Sequence, residues 1–302
     1  MSAPLFPGFR TIRVEVGSDL HLHAVVGGEG PPLLLLHGHP QTHAIWHKVA
    51  PQLAQRYTVV ACDLRGYGDS SKPRGDDDHG NYSKRTMAAD MVKVMQSLGF
   101  AQFAVMAHDR GARVAHRLAA DHPDAVQRLV LLDIAPTLAM YRKTNEAFAR
   151  AYWHWFFLIQ PAPLPERLIE TDPAAYLRDV MGRRSAGLSP FDPRAFAEYV
   201  RCLSLPGAAH GMCEDYRAAA GIDLEHDRAD REQGRRLAMP LLVLWGEQGV
   251  VHRCFQPLQE WREVADDVRG EPLPCGHYIP EEAPEQLLAR ALPFLQGEAA
   301  PR

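Results

Sequence analysis

The sequence predicts an α/β fold: a mostly parallel sheet flanked by helices, with a helical segment inserted before the last part of the sheet. Three observations predict it. Apolar runs of strand length alternate with helical stretches along most of the chain. The runs "LLLLH", "TVVACD", "RLVLLDI" and "PLLVLWG" are nearly continuous, as strands buried on both faces of a parallel sheet must be. Between Ile134 and Pro240, a stretch of about a hundred residues, no strong strand pattern appears.

Taken in order, Thr11 to Val16 and His21 to Val26 read as an opening hairpin. Leu33 to His37, Tyr57 to Asp63, Phe103 to Ala107 and Leu129 to Ile134 follow as strands separated by helical spacing, and Leu241 to Trp245 resumes the sheet. Within the insertion, "YRKTNEAFARAYWHWFFLIQ" and the stretch from Asp192 to Ala220 read as helices, joined by proline-rich connections such as "QPAPLPERL". The chain therefore divides into a first core part (1–135), a helical cap (136–238) and a second core part (239–302). Ligands of such sheets bind outside the carboxyl ends of the strands. An insertion that leaves and re-enters at strand ends would cover that mouth.

Composition excludes several classes of function. The 302 residues carry a net charge of −4 with no basic block, which argues against nucleic acid as a partner. The N-terminal "MSAPLFPGFRTIRVEV" lacks the pattern of a secretory signal, and no apolar run reaches the length of a membrane span. A cytoplasmic protein with no membrane partner is expected. Five scattered cysteines without a CxxC pair read as reduced thiols. The acidic "GDDDHGN" at 75–81 reads as a solvated loop.

The chemistry concentrates in "FAVMAHDRGARVAHRLA", where a strand turns sharply into a helix through His108, Asp109, Arg110 and Gly111. This is the context of a nucleophile elbow, with aspartate in the nucleophile position. Asp133 follows the "RLVLLD" strand and His277 lies in "LPCGHYIPEEAP". Each alone is ordinary, since an Asp after a strand often caps a helix. Nucleophile, acid and histidine in this chain order form the triad of the α/β hydrolases. Glu247 after "VLWG" competes for the acid role, and Asp133 is preferred because it ends a clean buried strand.

A carboxylate is already ionised at neutral pH and can displace a leaving group from saturated carbon, giving an enzyme ester. Water activated by His277 would then hydrolyse that ester. Backbone N–H groups of His39 and Arg110 are placed to form the oxyanion hole. Arg110 and Arg113, three apart on the helix, would face the cavity and grip a substrate carboxylate. His154, Trp155 and Tyr216 each carry a donor for a leaving halide.

On these motifs the chain resembles the fluoroacetate (haloacetate) dehalogenases of the α/β-hydrolase superfamily. The carrying segments are "GEGPPLLLLHGHPQTH", "DLRGYGDSSKP", "HDRGARV", "LLDIAPT", "YWHWFFL", "CEDYRAAA", "DLEHD" and "GHYIPEEAP". "HDRGARV" together with "YWHW" is specific to the family; the first two segments belong to many hydrolases of this fold. The resemblance implies an eight-stranded sheet, Asp109 as nucleophile, His277 as base, Asp133 as its partner, Arg110 and Arg113 on the carboxylate, and His154, Trp155 and Tyr216 on the halide. It implies a small 2-haloacid and water as reactants, no cofactor, and a homodimer. Two departures imply a wider or more charged pocket: His39 stands where the family usually has phenylalanine, and no tryptophan occurs near Gly182 or Arg183.

Two other functions use parts of the same set. An epoxide hydrolase shares the Asp–His–Asp triad and would need Tyr152 and Tyr216 as donors, but would leave the arginines unexplained. A non-catalytic receptor for small carboxylates would need no base. Metal binding by "HGHPQTHAIWH", with His37, His39, His43 and His47, matches no ligand spacing, and no metal is expected.

Overall fold

The computed structural model describes residues 4–184 and 186–298. Its sheet has eight strands: β1 (Arg10–Gly17), β2 (Leu20–Gly27), β3 (Pro32–Leu36), β4 (Thr58–Cys62), β5 (Phe103–His108), β6 (Val126–Leu132), β7 (Leu241–Gly246) and β8 (Val268–Leu273). Their order is β1-β2-β4-β3-β5-β6-β7-β8. β1 pairs antiparallel with β2 and β2 antiparallel with β4, and every other pairing is parallel.

Side-chain alternation divides the central strands between two cores. Leu34, Leu36, Val105, Ala107, Leu129, Leu131 and Val243 pack on one face, while Leu33, Leu35, Ala104, Met106, Val130, Leu132 and Leu244 pack on the other. Both sets are buried, which is why these strands read as continuous apolar runs. At about 1.5–3 kcal/mol per buried Leu or Val side chain, these residues fix the register of the sheet, because a one-residue slip would exchange the two faces.

The sequence reading located seven strands and passed over β8. Its "VRGEPL" is short of apolar residues and mostly part-exposed, because β8 lies at the edge and pairs with β7 alone. Between β6 and β7 the described residues form helices: Thr137–Arg142, Glu146–Ala151, Trp153–Leu158, Leu164–Thr171, Pro173–Gly182, Pro193–Leu203, Ala208–Ala220 and Ile222–Glu232. Local chemistry starts several of them. Asn145, Asp172 and Asp192 accept backbone N–H bonds as N-caps, and Pro173 and Pro193 occupy first turns, where a missing N–H costs nothing. No described helix is long and apolar enough to cross a membrane.

Candidate active site

The strand β5 ends at His108, and the helix Asp109–Asp121 begins at the next residue. Asp109 holds a left-handed backbone with φ of 47°, which costs a non-glycine residue about 1–2 kcal/mol and aims its side chain out of the turn. Neighbours must be small for this turn to close. A Cβ on Gly111 would stand 2.3 Å from the His37 carbonyl oxygen, and one on Gly38 would stand 2.4 Å from the Asp109 Cβ.

Asp109 is buried. The His39 N–H donates to its Oδ1 at 2.9 Å, and His277 Nε2 stands 3.8 Å from Oδ2. The Arg110 amide borders the same place: the Cβ that Gly38 lacks would lie 2.8 Å from Oδ1 and 2.9 Å from the Arg110 nitrogen. Burial alone would raise the Asp109 pKa, but His277, His108, Arg110 and Arg113 outweigh it and hold the carboxyl well below its usual range. It is a carboxylate at any working pH.

Asp133 sits one residue past β6, also left-handed, with φ of 51°. Its Oδ1 accepts the Gly246 N–H at 3.0 Å, and its Oδ2 lies 2.5 Å from His277 Nδ1. Glu247, the competing acid, is exposed. Burial pushes Asp133 up to about 7 against the Gly246 bond, and burial pushes His277 down to about 3. The pair therefore holds one proton in its short bond, and we place it on Nδ1, so that the neutral ring presents the unpartnered Nε2 lone pair toward Asp109. His108 fixes the loop from behind by donating its Nε2–H to the His277 carbonyl at 2.7 Å.

The two arginines differ. Arg110 was expected to offer its fork to substrate, yet Nε and Nη2 bind the Asp215 carboxylate at 2.7 and 3.0 Å, and Nη2 also reaches the Asp215 carbonyl at 2.8 Å. A fully buried cation needs a counter-charge, and Asp215 supplies it. Only Nη1 of Arg110 is left without a partner. Arg113 makes no ion pair among the described residues. Its Nη1 donates to Thr137 Oγ1 at 2.9 Å and more weakly to the Ala135 carbonyl, and Nε has no partner. Desolvation lowers the Arg113 pKa, the mark of a cation lacking its anion.

The helical insertion closes the chamber. Trp155 and Tyr216 are buried, and Trp155 Nε1 and Tyr216 Oη have no partner. The guanidinium of Arg110 lies 4.0 Å over the Tyr216 ring and that of Arg113 lies 4.7 Å over Trp155, so the arginines also position these donors. His154 departs from expectation. Its Nε2 lies 3.1 Å from Nη2 of Arg184, and burial drives its pKa well down. A neutral ring accepting there carries its proton on Nδ1, so any donation from His154 to a halide would come from Nδ1 and not from Nε2. Trp155 and Tyr216 keep their donors unpartnered, with Arg184 beside them.

Sequence reasoning missed Asp215 and Arg184. Asp215 adjoins Tyr216 inside "CEDYRAAA", and the demand of a buried arginine for an acid was the signal available. Arg184, in "GRRSAG", occupies the region where a tryptophan was expected. His39 stacks on His154 with ring centroids 5.4 Å apart and planes 8° apart, and its Nε2 lies 3.2 Å from the Tyr176 hydroxyl. Of the other loop histidines, His37 accepts the Leu64 N–H and His47 bonds the Ala44 carbonyl, while His43 joins His23 in bonding Asp63, with His37 Nε2 3.8 Å from the same carboxylate.

Comparison with known proteins identifies the family. A family model described as alpha/beta hydrolase fold matches residues 31–284. The chain is 46% identical over 282 residues to a fluoroacetate dehalogenase of Burkholderia sp, covering 93% of this chain and 92% of the relative. It is 36% identical over 280 residues to a soluble epoxide hydrolase of Corynebacterium sp. (strain C12), covering 90% and 93%. The crystal structure of ALR0039 from Nostoc sp PCC 7120 superposes with a TM-score of 0.92 at 56% identity, over 95% of this chain and 98% of that one. The chain belongs to the α/β-hydrolase superfamily and, within it, to the haloacetate dehalogenase family of hydrolases acting on carbon–halide bonds.

Proposed function

We propose that the protein hydrolyses small 2-haloacids, such as fluoroacetate or chloroacetate, to the 2-hydroxy acid and halide. The observation that carries this reading is Arg113: a buried cation without an acid partner beside an ionised nucleophile. The substrate carboxylate would complete it, together with Nη1 of Arg110. Without that pairing, two carboxylates about 4 Å apart would repel by about 4 kcal/mol at an effective dielectric near 20.

With the carboxylate held there, Asp109 Oδ2 attacks C2 from the side opposite the halogen. The C–O bond forms as the carbon–halogen bond breaks, and the halide leaves with its electron pair toward Trp155 Nε1 and Tyr216 Oη. Asp109 becomes an ester whose carbonyl oxygen is Oδ1. Nε2 of His277 then takes a proton from water as the hydroxide adds to that carbonyl. Oδ1 becomes an oxyanion already seated on the His39 N–H, with the Arg110 amide beside it. Collapse breaks the bond between the Asp109 carbonyl carbon and the substrate oxygen, which takes the proton held on His277 and leaves as the hydroxy acid, while Asp109, left as a carboxylic acid by the added hydroxide, loses its proton to solvent. Asp133 keeps the His277 ring oriented and its Nδ1 protonated throughout.

The test is halide release, by ion chromatography, from fluoroacetate, chloroacetate and 2-chloropropionate, with Asp109→Asn as the blank. We expect halide from at least one acid with the wild type and none above background with the variant. Halide from neither protein, with turnover of an epoxide panel by the wild type, would replace this reading by the epoxide one, for which Tyr216 already offers a free hydroxyl.

A further inference from the structure

A cavity of about 370 Å³ opens beside His277, and neither Arg110 nor Arg113 lines it. Its wall includes Tyr152, Arg183, Arg184, Gln248 and Arg253, and no acidic side chain lines it. Arg183 is mostly spent on Asp179, at 3.2 Å on the surface. Arg184 is different. Its guanidinium lies 5.2 Å from the Tyr152 ring centroid and 5.5 Å from that of Tyr278, both of which pack against the His277 ring. One nitrogen, Nη2, meets His154, while Nη1 is buried without a partner and no carboxylate pairs with the group among the described residues. Arg253, farther out, makes no side-chain hydrogen bond or ion pair among the described residues.

The site thus holds more positive charge than a monocarboxylate needs. Arg113 and the free nitrogen of Arg110 suffice for one carboxylate on their wall. Arg184 stands on another wall, where the vestibule meets the reaction chamber, so the same carboxylate is not needed to explain it. A buried guanidinium with an open donor is stabilised when an anion arrives. Tyr152 and Tyr278 hold its plane, which limits what ordering costs on binding.

We propose that Arg184 binds a second anionic group of the substrate, so that the preferred substrates are 2-halodicarboxylates of about four carbons, with Arg253 and Gln248 at the rim of the approach. One carboxylate sits on Arg113, C2 faces Asp109, and the substituent on C2 carries the other carboxylate to Nη1 of Arg184. Arg184 is then a specificity-determining residue. The turnover part of this inference rests on the dehalogenase reading; the dianion site itself does not.

Two measurements keep these apart. In the first, calorimetric titration at low salt compares succinate with butyrate, which replaces one carboxylate by a methyl group and needs no turnover. Wild type is expected to bind succinate at least about tenfold more tightly. Arg184→Gln should reduce that ratio to near one, and Arg184→Lys should recover part of it, since a point charge replaces the fork. Equal binding of the two ligands by wild type, or a ratio unmoved in Arg184→Gln, overturns the proposal. In the second, halide release compares kcat/KM for 2-chlorosuccinate and 2-chloropropionate in the same proteins. The ratio should favour the diacid by about tenfold in wild type and fall in Arg184→Gln chiefly through KM. A succinate preference without halide release would retain the anion site and reject the dehalogenase reading. Halide release with no preference for the diacid would do the reverse.

Discussion

At the scale of single residues, the attack proposed for Asp109 requires that nothing crowd its side chain from behind. Gly38 is the test. A methyl group there meets the Asp109 Cβ at 2.4 Å and Oδ1 at 2.8 Å, contacts that no rotamer change can relieve. Gly38→Ala should fold, since the loop lies at the end of β3, but should lose turnover by about a hundredfold or more as Oδ1 leaves the His39 N–H. Circular dichroism and halide release together check this; near-normal activity would show that the loop yields. The triad and oxyanion-loop positions were legible in the sequence because each sits at a strand end, where chain order alone restricts the candidates. The roles of Arg110 and His154 were not. Both depend on partners far along the chain, Asp215 and Arg184, and spacing says nothing of which acid a buried guanidinium finds.

At the scale of elements, that long-range pairing ties the elbow to the insertion. Arg110 opens the helix Asp109–Asp121, and Asp215 lies in the helix Ala208–Ala220. Asp215 also pairs with Lys84 and accepts the Tyr67 hydroxyl at 2.7 Å. Burial would raise its pKa, but Arg110 and Lys84 hold it well down, so the carboxylate stays charged. Asp215→Asn leaves the buried Arg110 short of its anion, while Lys84 keeps Asp223 at 3.3 Å, and breaking such a buried pair costs about 3–5 kcal/mol. A fall in Tm should appear together with a raised KM for haloacid, because Arg110 and the Tyr216 ring it supports would both shift. A lower Tm with unchanged KM would confine Asp215 to stability. The same scale explains what the sequence withheld of the fold. Central strands announce themselves by two-faced burial, whereas β8, an edge strand containing Gly270 and Pro272, offers neither continuous nor alternating apolar residues. The helices of the insertion were legible from their helical runs and prolines, but not that the bend after the helix Pro173–Gly182 would bring Arg184 against His154.

At the scale of the whole molecule, the fold buries an unusual set of neutral histidines, and this sets its response to acid. Burial lowers His39, His108 and His277 from 6.5 to about 3 and His116 to about 4, and His37 and His154 move in the same direction. A histidine whose folded pKa is depressed takes up its proton in the unfolded chain first. The stability it contributes is therefore fully present above 6.5 and is lost as pH falls from there toward 3–4. Two buried acids act oppositely. Asp133, raised by burial to about 7, and Glu281, raised to about 8, contribute stability at low pH that fades as pH climbs from about 4 through those values, and His43, whose pKa is raised, adds to their side. Below pH 6 the buried histidines outnumber the buried acids, so the balance is a loss of stability as pH falls. Tm should be highest between about pH 6 and 7, decline gently toward pH 8 as Asp133 and Glu281 ionise, and fall between pH 6 and 4 as the histidines take up protons. Calorimetry across this interval gives the slope directly, and a Tm flat down to pH 4 would mean that the buried rings are protonated in the native state, which would also deprive His277 of the lone pair on which ester hydrolysis depends.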